Sequence, residues 1–232
     1  MNLQTPHEAL LQWLPHRQEY LDEILGLEAP PVTNECLSCG INQFTHRCID
    51  CFGHPIFCQG CCLNIHERHP YHQIEKWAGE CFIRDSLYKL GLVLHLGHGG
   101  KHCPSHQLYE DFPDHRMDIE PTGEAIQDDS DSEVDQNDIY IVHSSGIFRS
   151  RIQYCQCEGA PERHIQLLRL NLFPSSLVSP QTVFTFAVLD LFEIDSLECK
   201  TSAMNFFSKL RRQTNNAFPH RVPVGQKTCF FR

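Results

Sequence analysis

Apolar residues recur at helical spacing in only a few stretches of this chain. Thr5-Pro6-His7-Glu8 supplies an N-cap, a proline at the first helical position and a glutamate at the third, so a short helix is predicted through Leu10, Leu11 and Leu14. Pro15 interrupts it. The stretch "HRQEYLDEILGLE" then sets Tyr20, Leu21, Ile24 and Leu25 at helical spacing, and Gly26 with Pro30-Pro31 closes the helical leader. Residues 36–72 lose the periodicity. Their loop composition leaves room for short strands and one short helix after Cys61. Residues 73–98 read as a short helix followed by an extended segment, "LVLHLGH".

The pattern sharpens after residue 138. In "DIYIVHSSGIFRSRIQYCQC", Ile139, Ile141, Ile147 and Ile152 favour strands and Ser144-Ser145-Gly146 supplies a turn, which predicts a β-hairpin. "PERHIQLLRLNLF" reads as a helix starting at Pro161. "PQTVFTFAVLDLFEIDSLEC" and "KTSAMNFFSKLRRQTNN" read as two more, although Val183, Phe184, Thr185 and Phe186 also suit a strand.

Length and charge narrow the classes. At 232 residues the chain has room for one large domain or two small ones. No run of about 18 apolar residues predicts a membrane span, and "MNLQTPHEALLQW" lacks the pattern of a secretory signal. The thirteen cysteines are therefore expected in a reducing, intracellular compartment, where clustered pairs bind metal more often than they form disulfides. The net charge of −10 is uneven. Residues 117–138 carry nine acids and no Lys or Arg, which predicts a flexible acidic insert, whereas residues 139–232 carry eleven basic residues against six acids.

The cysteines follow a ladder. Cys36-x2-Cys39, Cys48-x2-Cys51 and Cys58-x2-Cys61 are followed by His66, His69 and His72. A C-x2-C turn brings two thiolates to one tetrahedral ion, which makes zinc the expected occupant. A cross-brace would place Cys36, Cys39, Cys58 and Cys61 on one zinc and Cys48, Cys51, His66 and His72 on a second, with His69 the rival for the last position. His54 and Cys62 are left outside both sets, and Cys81, Cys199 and Cys229 are isolated thiols. Four protein ligands close each site, so the zinc is expected to be structural. A weaker set, His98, Cys103, Cys155 and Cys157, spans the acidic insert. It reads either as a third zinc site or as unrelated buried thiols, because C-x-C spacing is a weak signal and would need a kink after Tyr154.

"HPYHQIEKWAGECFIRDSLYKLGLVLHLGHGGKHC", "YCQC" and "IQLLRLNLFPSSLVSPQTVFTFAVLDLFEIDSLECKTSAMNFFSKLRRQTNN" resemble the CxC-type cysteine cluster domain of KDZ (Kyakuja-Dileera-Zisupton) transposases, encoded by DNA transposons abundant in mushroom-type fungi. The resemblance covers roughly residues 13–216. It implies a zinc-chelating module and places the family's cluster on His98, Cys103, Cys155 and Cys157. The block 36–72 is similar to ZZ and B-box cross-brace fingers, which serve protein interaction. In the family the chain continues into an RNase-H-like nuclease, whereas "AFPHRVPVGQKTCFFR" does not resemble that continuation.

The expectation is an α+β protein of small zinc-stabilised domains. A helical leader (1–35) precedes a cross-brace finger (36–72), a CxC-type module of β-hairpin plus helices (73–216, with the insert 117–138) and an irregular tail (217–232). Three zincs are expected: two in the cross-brace and one in the CxC-type cluster. The expected function is a non-catalytic, nuclear zinc-binding module of transposase origin. It would contact DNA, such as transposon ends, or a protein partner, with no membrane and no small-molecule substrate. DNA phosphates would be met by Arg149, Arg151, Arg169, Lys209, Arg211 and Arg212. The alternatives are a protein-interaction finger of B-box or ZZ type with no DNA role and a RING-like ubiquitin ligase, whose last ligand pair is usually Cys-x2-Cys where this chain has histidines.

Overall fold

A computed structural model describes residues 6–29, 31–105 and 137–222. Most of the acidic insert, the end of the tail and Cys229 lie outside the described residues. The chain divides into two compact units, one formed by residues 1–64 with 73–86 and the other by 65–72 with 87–232.

In the first unit, α1 (Pro6–Trp13), a 3-10 turn (Leu14–His16) and α2 (Arg17–Gly26) form the leader. A four-stranded antiparallel sheet follows. It contains β1 (His46–Cys48), β2 (Ile56–Phe57), β3 (Ile74–Trp77) and β4 (Phe82–Asp85), in the order β2-β1-β3-β4. A helix, α3 (Gln59–His66), begins directly after β2 and Cys58, two residues before Cys61. Arg47 anchors the sheet to the end of α2. Its guanidinium donates to the Leu27 carbonyl at 2.7 Å and pairs with Glu28 at 2.7 Å and Glu75 at 2.6 Å, while lying 4.0 Å from the Phe82 ring centroid.

The short helix expected within 73–98 does not form. Residues 74–85 make a β-hairpin instead, because Gly79 (φ +96°) permits a tight turn and Trp77 packs edge-to-face on Phe82 directly across it, with centroids 4.8 Å apart.

The second unit is built on a five-stranded mixed sheet. Its strands are β5 (Val93–His95), β6 (Asp138–His143), β7 (Gly146–Gln153), β8 (Leu172–Pro174) and β9 (Thr182–Thr185), in the order β5-β7-β6-β9-β8. The predicted hairpin is β6–β7, with Val142 opposite Ile147. Alternation along these strands sends side chains to opposite faces. Ile139, Ile141, Ile152 and Val183 join Leu167 of α4 (Arg163–Leu168) in one apolar cluster. Val142, Ile147 and Phe184 join α5 (Phe186–Cys199) and α6 (Ala203–Thr214) in the other, through Val188, Phe206 and Leu210.

The α/β ambiguity at 181–186 resolves as a strand that runs straight into a helix. Thr185 ends β9 and caps α5, its hydroxyl accepting from Val188 N–H at 3.3 Å. The helix expected from Pro161 is shorter than its pattern: α4 ends at Leu168, Asn171 turns with φ +59°, and Leu172–Pro174 pairs with β9. Asp138, the last residue of the acidic insert, is the first residue of β6 and is buried.

Candidate metal centres

Three groups of ligand atoms converge, each with all four atoms within 4.8 Å of one another: Cys36, Cys39, Cys58 and Cys61; Cys48, Cys51, His66 and His72; and His98, Cys103, Cys155 and Cys157. None of the twelve described cysteines forms a disulfide.

The first group forms at the mouth of the small sheet. Cys36 and Cys39 sit on a turn closed by Gly40 N–H to the Cys36 carbonyl at 2.8 Å, with Gly40 at φ +63°. Cys58 follows β2 and Cys61 lies in the first turn of α3. Burial alone would raise the Cys36 thiol, yet N–H groups of Cys39, Cys58 and Ser38 face its sulfur and bring it down to about 6. Asn42 and Ile41 N–H groups lower Cys39. The Ser38 hydroxyl draws Cys61 down, but the Cys58 sulfur, burial and the other two thiols prevail and push it up to about 12. Backbone donors thus prepare the group for negative charge that its sulfurs resist sharing among themselves. A divalent cation relieves that conflict.

The second group takes Cys48 from the end of β1, Cys51 from the turn after it, His66 from the end of α3 and His72. Cys51 N–H donates to the Cys48 sulfur at 3.3 Å. Burial pushes Cys48 up to about 12, so a thiolate there calls for a cation. His72 holds the fourth place in this group; His69 stacks on it at 5.0 Å. Cys62 is fully buried outside every group, and burial pushes its thiol up to about 12, as suits a neutral core side chain. His54 is exposed on a turn, and Cys81 and Cys199 are exposed and outside the groups.

The third group depends on strand pairing. β5 runs parallel to β7, with Val93 opposite Arg151 and His95 opposite Gln153, and Leu96 N–H extends the pairing to the Gln153 carbonyl at 2.9 Å. Both strands therefore end at the same edge. The turn after β5 carries His98 and then Cys103; the segment after β7 carries Cys155 and Cys157. His98 (φ +52°), Gly99 and Gly100 all have left-handed backbones, which turns the chain sharply at the ligand.

The separations suit one tetrahedral ion. The Cys103 sulfur lies 3.8 Å from Cys155 and 3.7 Å from Cys157, and His98 Nε2 lies 3.3 and 3.4 Å from those two sulfurs. Metal–sulfur bonds of about 2.3 Å in a tetrahedron imply sulfurs about 3.8 Å apart. N–H groups of Gln156 and Ser105, with His98 and Cys157, outweigh burial and hold Cys103 down at about 5.

Residues 123–218 match the CxC2 like cysteine cluster associated with KDZ transposases. The CxC2 match takes in Cys155 and Cys157 and begins after His98 and Cys103. No curated protein and no solved structure matches the chain.

The structure also engages three of the six cations expected to meet phosphate. Arg149 and Arg151 pair with buried Asp138 at 2.8 and 3.4 Å, and both guanidinium groups lie over the Tyr88 ring, whose hydroxyl donates to Asp138 at 2.5 Å. Lys209 pairs with Asp195 at 2.8 Å. The sequence reading missed this use of Asp138, which looks like one more charge in an acidic run. Its only local signal is its place directly before the strand pattern "IYIV". No helix among the described residues is long and apolar enough to cross a membrane.

Proposed function

We propose that this chain is a non-catalytic zinc-binding module of KDZ transposase origin, with a cross-brace finger over 36–72 holding two zincs and a CxC-type module over 73–216 holding a third. The observation that carries the reading is the convergence of three four-ligand groups of Cys and His, the third with tetrahedral separations and overlapping the CxC2 match. Bound zinc with four protein ligands supplies no open position for water, so its contribution is architecture. Elemental analysis of the purified chain tests the count. Three zincs per chain are expected, and none would overturn the reading.

The module would act in the nucleus by contacting DNA or a protein. DNA contact is supported by the basic balance of residues 139–232. With Arg149, Arg151 and Lys209 held by carboxylates, Arg169, Arg211 and Arg212 are the cations left to carry it. Binding to duplex DNA should weaken as salt rises, and substituting these three residues should reduce the slope. Absence of any shift at low salt would remove the DNA arm. The protein-contact arm is supported by Leu37, Ile41 and Phe52, apolar side chains left exposed on the finger turns.

A further inference from the structure

We infer that Gln166 is the positioning residue of the third cluster, the group that makes a C-x-C pair able to share one ion. In an extended strand, residues two apart are about 6.6 Å apart along the chain, too far for sulfurs that must approach to about 3.8 Å. β7 ends at Gln153, and the chain must leave the strand before Cys157. Gln166, buried on α4, holds the departure. Its Oε1 accepts from Cys155 N–H at 2.8 Å, and its Nε2 donates to the Cys155 carbonyl at 3.1 Å and to the Pro161 carbonyl at 2.8 Å.

One carboxamide therefore acts as a substitute peptide group. It satisfies both backbone groups of Cys155 where a neighbouring strand would otherwise do so, and it fastens the loop 155–161, which carries Cys157, at both ends. Within that loop Ala160 N–H closes a turn on the Cys157 carbonyl at 2.9 Å. The anchor is rigid because Leu167, the next residue of α4, is fully buried in the apolar cluster beneath the sheet. Gly97 lets the two segments approach: a Cβ there would stand 2.8 Å from Cys155 Cβ. The position of Cys155 is thus set by groups that never touch the ion, and groups of that kind typically govern metal affinity by about 10–100-fold.

This inference rests on zinc being held by His98, Cys103, Cys155 and Cys157, and the test separates the two. The full chain, loaded with zinc, is titrated with a competing chelator while each cysteine's protection from alkylation is read by mass spectrometry. In the wild type, Cys103, Cys155 and Cys157 are protected together; their free reaction at saturating zinc would overturn the zinc reading itself. In Gln166→Met, the affinity read at these three cysteines falls about 10–100-fold, while Cys36, Cys39, Cys58 and Cys61 keep wild-type protection as an internal control. Gln166→Glu keeps the acceptor for Cys155 N–H but turns an oxygen toward the Cys155 and Pro161 carbonyls that Nε2 served, so it also lowers the affinity and carries the test if Gln166→Met does not fold. Wild-type protection of the third cluster in a folded variant overturns the positioning role and leaves the zinc reading standing.

Discussion

The two units meet the same requirement, a stable interior, with different materials. Among the described residues of the first unit, the buried apolar side chains other than cysteine are Phe44, Ile56, Phe57 and Ile74; Cys36, Cys48, Cys58 and Cys62 make up the rest. The second unit buries isoleucines, leucines, valines and phenylalanines on both faces of a five-stranded sheet. A unit with so little apolar surface to remove from water would depend on the proposed zinc, because structural zinc is typically worth about 10–16 kcal/mol of apparent binding energy, as much as a whole domain's stability of about 5–15 kcal/mol. A unit with a sheet covered on both faces should need zinc only where the sheet edge is irregular.

Chelation is the largest expected effect. On adding a strong zinc chelator, amide exchange should become fast over residues 36–64 and 73–85 while β6, β7 and β9 stay protected. Equal loss in both units, or none in the first, would break the contrast.

Within the second unit, removing a partner from a buried ion pair is next. Asp138→Ala leaves Arg149 without its close partner and is expected to cost about 3–5 kcal/mol in denaturant unfolding. Ile141→Ala, at a fully buried position, should cost about 2–5 kcal/mol. Both variants should keep wild-type zinc protection of Cys36, Cys39, Cys58 and Cys61, which lie wholly in the first unit; parallel loss of protection there would break the contrast.

The smallest effect is in pH. Burial holds His143 below the ordinary histidine range, where it bonds Thr185 Oγ1 at 2.9 Å and stacks on Tyr71 at 4.5 Å. The unfolded chain therefore binds a proton more readily, with an ordinary value of about 6.5. The stability this group contributes is present above about pH 6.5 and is lost as pH falls through its lower folded value. The stability difference between wild type and His143→Gln should be level near pH 7.5 and change only below about 6.5. Zinc release on acidification affects both proteins and drops out of the difference.

The convergence of the C-x2-C pairs was legible because such turns are local: a turn and a glycine such as Gly40 suffice to bring two sulfurs together, and spacing states both. The β6–β7 hairpin was legible for the same reason. The hairpin at 74–85 was not, since its decisive pair, Trp77 and Phe82, also fits a mixed helical pattern. The role of Asp138 was hidden because composition averages it into an acidic run, while burial depends on which strand it begins.

The sequence by itself determined which side chains could serve as ligands and how they pair along the chain, because zinc chemistry restricts the side chains and turn geometry restricts the spacing. Only the tertiary structure decided how the third group closes. His98 and Cys155 stand 57 residues apart and meet because β5 lies parallel to β7 and Gln166 bends the chain beyond it. Such pairings depend on what the whole sheet buries on each face, and no local pattern carries that information.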